Sequence, residues 1–175
     1  MAAFALGPAA TEAGYRLLGY DAIGSTSAEA LTRARAGDRG PLWIAARSQS
    51  AGYGRRGRVW HSPAGNLAAS LLSVVRVPPA EAATLGFVAG LALAAVLDAT
   101  VPAPALRIGV DGAAGEGGRI ALKWPNDVVV GGAKIAGIPV EAEELDDGVR
   151  AIVVACWVKV VAAPAGFPYA ATSLT

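Results

Sequence analysis

The alternation of apolar and polar positions along the first half of the chain predicts a few short strands and two helices. Runs with the length and composition of strands cover residues 15–23, 42–46 and 67–77. Between the first two runs, Thr26 and Glu29 form a capping-box pair and Gly37 supplies a stop, which together predict a short helix. The apolar stretch 80–99 predicts a longer helix that packs on the sheet.

After one short strand near residues 106–108, the second half of the chain is typical of an antiparallel meander. Its expected strands cover residues 120–123, 128–130, 134–141 and 149–161. Pro139 lacks an N–H group, so we expect an edge position or a bulge there. Residues 109–118 contain five glycines and predict a flexible hairpin tip or loop. Residues 171–174 look like the start of another helix, and residues 1–14 predict a loosely held arm.

Length and composition fit one domain. A chain of 175 residues, 54% of them hydrophobic, can bury a sizeable core, and neither repeats nor a linker divide it. We therefore expect a single α+β domain over residues 1–175, with a mixed, mainly antiparallel sheet and packed helices. The single cysteine, Cys156, excludes an internal disulfide and lies in an apolar run as a core residue. No secretory signal is recognisable, so we expect a soluble, cytoplasmic protein without membrane contact.

Glycine and arginine are concentrated in residues 49–60, which hold three of the 22 glycines together with three arginines. Glycine lets the backbone approach a ligand closely, and arginine offers a planar, charged group with several donors for phosphate or carboxylate. The stretch therefore predicts a mobile loop that binds anions. Taken alone, it is explained equally well as an ordinary basic surface loop.

A second polar stretch, Lys123-Trp-Pro-Asn-Asp127, favours the functional interpretation. It is followed by Lys134 and then by Gly137, Ile138 and Glu141. Lysine meets a carboxylate or phosphate as a point charge, and Asn with Asp can orient polar substrate groups or a hydrated magnesium ion. The two stretches together predict one cleft for an anionic substrate.

In this order and at this spacing, the Arg55-Arg-Gly-Arg58 and Lys123-Trp-Pro-Asn-Asp127 motifs resemble the catalytic domain of a biotin protein ligase. The resemblance runs from about Ser25 to Leu174. The family that it indicates is part of the biotin and lipoate protein ligase superfamily. It implies a fold of the class II aminoacyl-tRNA synthetase and biotin synthetase type. It also implies a small C-terminal β domain, which we expect to be absent from this chain. Because no helix-turn-helix precedes the catalytic region, we expect no N-terminal DNA-binding domain and no DNA partner.

The resemblance assigns roles to individual positions. Those matched to catalysis are Arg55, Lys123, Asp127 and Lys134. Those matched to the biotin site are Ser25, Thr26, Gln49, Gly52, Arg55, Lys134, Gly137 and Ile138. Those matched to the ATP site are Arg56, Arg58, Trp60 and Asn126. From the residues alone, helix capping also explains Ser25 and Thr26, and core packing also explains Trp60 and Trp124.

Joining a carboxylic acid to an amine requires activation, because a free carboxylate repels nucleophiles. ATP converts the acid to a mixed anhydride with AMP, and cations offset the repulsion as the carboxylate approaches the α-phosphate. The resemblance implies that biotin becomes biotinyl-5′-AMP and passes to a lysine of a biotin carboxyl carrier protein, of acetyl-CoA carboxylase or another biotin-dependent carboxylase. ATP is then a substrate, Mg²⁺ is expected with it through ligands that the sequence does not identify, and a homodimer is compatible with the family.

Three positions depart from the family pattern of Gly-x-Gly-x-Asn: Ala155, Trp157 and Lys159. Strand alternation puts all three on the face that should meet the ligand, where an indole in place of a hydrogen takes up pocket volume. Tyr53 also replaces a more usual arginine. Three interpretations stay open: a working biotin ligase with a shifted pocket, a ligase-like enzyme for another acyl group, and an inactive homologue whose pocket is blocked.

Other function classes find less support. The formal net charge is +1, so a nucleic-acid-binding module would depend on Arg55, Arg56 and Arg58 alone. The only histidine, His61, has no second histidine or cysteine partner for a zinc site, and we expect no protein-bound metal. No Gly-x-Ser-x-Gly elbow accompanies it, which argues against a serine hydrolase.

Overall fold

The computed structural model describes residues 4–100, 106–109, 120–163 and 169–174, with the side chains of residues 55, 106–109 and 147 left out of the description. The described helices are α1 (Pro8–Glu12), α2 (Thr26–Arg35) and α3 (Pro79–Thr100). The described strands are β1 (Arg16–Tyr20), β2 (Leu42–Ala46), β3 (Leu67–Val75), β4 (Leu106–Gly109), β5 (Ile120–Lys123), β6 (Asp127–Val130), β7 (Ala133–Gly137), β8 (Val140–Glu144) and β9 (Arg150–Val158).

The strands form one mixed sheet in the order β1-β2-β3-β9-β7-β6-β5-β4, and β8 also pairs with β9. The pairs β1–β2 and β4–β5 are parallel, whereas the remaining described pairs are antiparallel. The predicted α+β fold with a mixed, mainly antiparallel sheet is therefore confirmed. Parallel pairing of β4 with β5 contradicts the hairpin tip expected over 109–118, because a tight hairpin joins antiparallel strands. Residues 110–119 themselves lie outside the described part of the chain.

The single strand expected over 134–141 is divided at Pro139 into β7 and β8, both of which pair with β9. Pro139 has no N–H to donate, but its carbonyl oxygen accepts a hydrogen bond from the Ala155 N–H at 2.9 Å. The proline therefore lies between the two strands, where its missing N–H leaves no donor unpaired.

Both ends of the chain differ from the expectation. The arm over residues 1–14 contains the short helix α1, which has no buried residue. The expected C-terminal helix is wrong: the Lys134 N–H donates to the Ala170 carbonyl at 2.8 Å, and the Thr172 N–H donates to the Lys134 carbonyl at 3.0 Å. This segment is extended because it adds backbone pairing beside β7, which a helix could not supply.

The side chains of β9 alternate between two cores. Ile152, Val154 and Val158 pack on the side of α3, whereas Ala151 and Val153 pack on the side of α2. The N-cap of helix α2 is Ser25, one residue before the expected cap Thr26, because the Ser25 hydroxyl accepts a hydrogen bond from the Ala28 N–H. The two helices therefore cover opposite faces of the sheet, and the odd-numbered residues of β9, including Trp157, share the face of α2.

Helix α3 is long and apolar enough to cross a membrane by length and composition, although only 28% of its most apolar window is buried inside the protein. It lies against β5, β8 and β9. Its buried residues are mostly small: Ala82, Gly86, Gly90, Ala94 and Leu97. The helix therefore approaches the sheet closely on one side and leaves Phe87, Val88 and Leu91 exposed on the other.

Candidate functional site

The Gly/Arg-rich loop, residues 49–60, contains a small hairpin. Tyr53 and Val59 form an antiparallel bridge, and the tip is a tight turn over Arg55–Gly57 in which Arg56 has a φ of 59°. The Tyr53 hydroxyl donates to Glu141 Oε2 at 3.0 Å. Burial and the neighbouring Glu141 carboxylate raise the pKa of Tyr53 to about 12, so this hydroxyl stays a donor. Tyr53 thus ties the base of the loop to β8.

A cavity of about 310 Å³ lies beneath this loop, at the lower end of the volumes that suit small ligands. It is lined by Gly54, Arg56, Arg58, Val59, Trp60, Lys123, Asn126, Asp127, Lys134, Gly137, Pro139, Trp157 and Tyr169. Residues from both sequence motifs meet here because β6 and β7 pair with Asp127 opposite Gly137, and Lys134 precedes Gly137 on β7. The predicted common cleft therefore exists.

Within the cavity, the ammonium group of Lys134 contacts one carboxylate and lies near two aromatic rings. Its Nζ lies 2.6 Å from Asp127 Oδ1, 5.3 Å from the centre of the Trp60 ring and 5.4 Å from the Tyr169 ring. The side chains of Lys134 and Asp127 are 17% and 23% exposed, so the pair is only partly shielded from a ligand. Such a lysine can leave its carboxylate for an incoming anion at moderate cost.

A second lysine, Lys159, also lies against Trp60, with its Nζ 4.6 Å from the ring centre. The residue is buried, and its Nζ donates to the Lys134 carbonyl at 3.4 Å. Burial, reinforced by the positive charge of Lys134 and opposed by Asp127, lowers the pKa of Lys159 to about 8. Lys159 thus places a second lysine next to Lys134 and Trp60.

Three predicted biotin contacts, Ser25, Thr26 and Gln49, lie apart from the cavity in a buried polar cluster. Gln49 Oε1 accepts from the Thr26 N–H at 2.8 Å and from the Thr26 hydroxyl at 3.1 Å. Gln49 Nε2 donates to the Ser62 hydroxyl at 3.0 Å, and the Thr26 hydroxyl lies 2.8 Å from that of Ser70. The Gln49 amide is thus already hydrogen-bonded at both ends within the protein.

The sequence-predicted site residues fall into three groups. Those that line the cavity are Arg56, Arg58, Trp60, Lys123, Asn126, Asp127, Lys134 and Gly137. Those in or beside the polar cluster are Ser25, Thr26, Gln49 and Gly52. Ile138 packs in the core on the side of α3, and the side chain of Arg55 lies outside what the structure describes.

Several residues of the cavity and of the polar cluster were not predicted from the sequence. Tyr169 belongs to an irregular C-terminal stretch, and no local pattern connects it with Lys134. Ser62 and Ser70 complete the polar cluster. Ser70 carried a usable signal, since it is a hydroxyl within the apolar run that became β3.

The sequence and the fold match known proteins. The protein-family model described as the biotin/lipoate A/B protein ligase family matches residues 31–158. The biotin--[acetyl-CoA-carboxylase] ligase of Paracoccus denitrificans is 43% identical over 140 residues, which cover 80% of this chain and 52% of that protein. This chain thus spans about half the length of that relative.

Solved structures of biotin protein ligases share the fold. The biotin protein ligase of Leishmania major, in complex with biotinyl-5-AMP, superposes with a TM-score of 0.67 at 23% identity and covers 91% of this chain and 63% of its own. The biotin protein ligase of Aquifex aeolicus, in complex with biotin and ATP, gives 0.65 at 25% identity, with coverages of 91% and 59%. The chain belongs to the biotin/lipoate A/B protein ligase family.

Proposed function

We propose that this chain carries the acid-activating domain of an ATP-dependent biotin protein ligase. The observation that supports it most is the cavity in which Lys134 and Asp127, the Trp60 ring and the arginine-bearing loop meet. A relative named as such a ligase is 43% identical to this chain. We also propose that the protein acts in the cytoplasm, where ATP and the acceptor protein are found.

In the first step, a carboxylate oxygen of biotin attacks the α-phosphorus of ATP, a new P–O bond forms and pyrophosphate leaves with the electrons of the broken bond. Lys134 is suited to hold the carboxylate and the α-phosphate together, since it can exchange Asp127 for an incoming anion. Arg56 and Arg58 line the same cavity and can stabilise the phosphate charge. The products are biotinyl-5′-AMP and pyrophosphate.

In the second step, the amine of an acceptor lysine attacks the acyl carbon, AMP leaves with the electrons of the C–O bond, and the amine loses a proton. The acceptor that we propose is the carrier protein of a biotin-dependent carboxylase. The loop over residues 49–60 stands over the cavity and can shield the anhydride from water. Mg²⁺ bound with ATP would offset phosphate charge. Asp127 and Asn126 line the cavity with oxygen atoms suited to it, and the phosphates would supply the other ligands.

Acid-dependent exchange of labelled pyrophosphate into ATP tests the activation step. We expect exchange with biotin or pentanoate at high concentration, and a loss on the order of 100-fold in Lys134→Ala, because a cation that stabilises developing charge is typically worth that much. Arg47→Ala is the matched control, since Arg47 is an exposed cation that does not line the cavity. The proposal fails if no acid supports exchange, or if both variants behave alike.

A further inference from the structure

Trp157 lies between the cavity and the polar cluster on one face of the sheet. It pairs with Ala68 of β3 on one side and with Gly137 of β7 on the other. Two residues earlier on β9, Ala155 pairs with Ser70, which belongs to the polar cluster. Because paired residues project to the same face of a sheet, a continuous floor runs from Ser70 past Trp157 to Gly137. Any ligand that spans the cavity and the polar cluster must cross this floor.

The indole of Trp157 fills the middle of that floor. The side chain is wholly buried, packs with Ala68 and Ala155, and has its ring centre 5.5 Å from that of Trp60 at an interplanar angle of 41°. Protein interiors are close-packed, so a second ring system cannot enter the same space without moving the first. The indole therefore occupies the floor between the cavity and Ser70, whose polar cluster contains Gln49.

The two sides of this barrier offer different chemistry. On the cavity side, Lys134 and Asp127 are partly exposed and can meet a carboxylate. On the other side, the amide of Gln49 is buried and is already bonded to Thr26 and Ser62. A carboxyl group with a short chain can be held at Lys134 in front of the indole, whereas a polar ring on that chain meets the indole before it reaches Gln49.

We propose that Trp157 is a specificity-determining residue that shortens the acyl side of the site, so that the protein favours unbranched, ring-free carboxylic acids over biotin. This inference rests on the proposed function, because it requires that an acid be activated in the cavity. The reaction stays the same: the acid and ATP give an acyl-adenylate and pyrophosphate. The inference narrows the proposed function in one respect: the preferred acid of the first step is smaller than biotin, and biotin is the poorer substrate.

Calorimetric titration with biotin tests the barrier directly. We expect Trp157→Gly to bind biotin roughly 100-fold more tightly than the parent, since a misfit of even one methylene in an apolar pocket costs about 10–200-fold. Trp157→Ala should give a smaller gain in the same direction, and it serves if the glycine variant does not fold. Trp157→Phe is the matched control: it keeps most of the bulk but removes the indole N–H, which has no hydrogen-bond partner among the described residues. It should bind biotin as weakly as the parent.

Pyrophosphate exchange with pentanoate and with biotin completes the test, since pentanoate has the carboxyl group and chain of biotin without its rings. We expect the parent to favour pentanoate and Trp157→Gly to favour biotin. Equal biotin affinity in the parent and in both small variants overturns the inference, as does a parent that prefers biotin. Absence of exchange with either acid in every variant contradicts the proposed function instead, and the biotin titrations still decide the role of Trp157.

Discussion

Lys159 carries a positive charge in an unfavourable place beside the cavity. It is buried, its Nζ is close to the aromatic ring of Trp60, and the nearby Lys134 repels it while Asp127 attracts it. A cation can be accommodated by the face of an aromatic ring, which offsets part of the cost of leaving water. The remaining cost appears as a lowered pKa and makes Lys159 a measurable reporter of the site.

The stability of the protein should therefore depend on pH through Lys159. Its pKa is lowered from 10.5 to about 8 in the folded protein, so between these values the unfolded chain keeps a proton that the folded chain has lost. The free energy of unfolding contributed by Lys159 thus rises as the pH increases from about 8 to 10.5. Below about pH 8 both states are protonated, and the full cost of burying the cation remains.

Lys159→Met removes that cost, so we expect its stability advantage over the parent to be largest below pH 8 and to shrink towards pH 10.5. Denaturant unfolding at a series of pH values measures it. Lys159→Arg is the control, because arginine keeps its charge across the range and should not show the rise. A stability advantage of Lys159→Met that does not change with pH would contradict the prediction, because it would mean that folding does not lower the pKa of Lys159.

Trp157 shows what residue-level reasoning could and could not predict. Strand alternation alone placed it with Ala155 and Lys159 on one face, and all three are buried on the side of the sheet that carries the site. The packing of its ring beside Trp60 depends on the course of a loop from another part of the chain, to which no local pattern refers. For the same reason the contact of Tyr169 with Lys134 was not foreseen.

At the scale of elements, segments whose limits are set locally were predicted well. The strands Leu42–Ala46 and Ile120–Lys123 have the expected bounds, because apolar runs bounded by turn residues define them. The segment around Pro139 and the extended C-terminal stretch were predicted incorrectly, since their form depends on pairing with β9 and with Lys134. Non-local pairing overrides weak local preference in both.

The Gly/Arg-rich loop is an element whose shape depends on one close contact. A Cβ added at Gly52 would lie 3.0 Å from Gln49 Nε2 and 3.0 Å from the Trp60 carbonyl oxygen. The Trp60 N–H also donates to the Gly52 carbonyl at 2.9 Å, which closes the base of the loop. There is therefore little space at this point for any side chain.

We expect Gly52→Ala to lower the free energy of unfolding by roughly 1–3 kcal/mol, the usual cost of overpacking, and to weaken ATP binding because the loop base shifts. Gly54→Ala is the matched control for stability, since its Cβ would meet only the Arg58 carbonyl oxygen, at 3.7 Å. Thermal unfolding and nucleotide titration give the two readouts. Equal stability of the two variants would contradict the prediction, because it would show that the backbone at Gly52 can move to accommodate a Cβ without loss of stability.

For the whole molecule, β3 and β9 join two halves of the sheet, one with β1 and β2 and the other with β4, β5, β6 and β7. Strand β3 pairs with β2 and β9, and β9 carries side chains of both cores on its two faces. The cavity lies next to this pair, so the geometry of the site depends on both halves being folded. Such an arrangement favours one cooperative unfolding transition over two independent ones.

Leu72→Ala tests that cooperativity from the side opposite to α3. Leu72 is wholly buried in the core beneath α2, and its truncation should lower the free energy of unfolding by about 2–5 kcal/mol. Because β3 joins the halves, the denaturant midpoint should fall equally by far-UV circular dichroism and by the fluorescence of the tryptophans, which include Trp60 and Trp157 beside the cavity. Val75→Ala, at the exposed end of the same strand, should change either midpoint little. Two separate midpoints in Leu72→Ala would show instead that the half of the sheet covered by α2 unfolds independently. The geometry of the cavity would then depend only on the other half of the sheet.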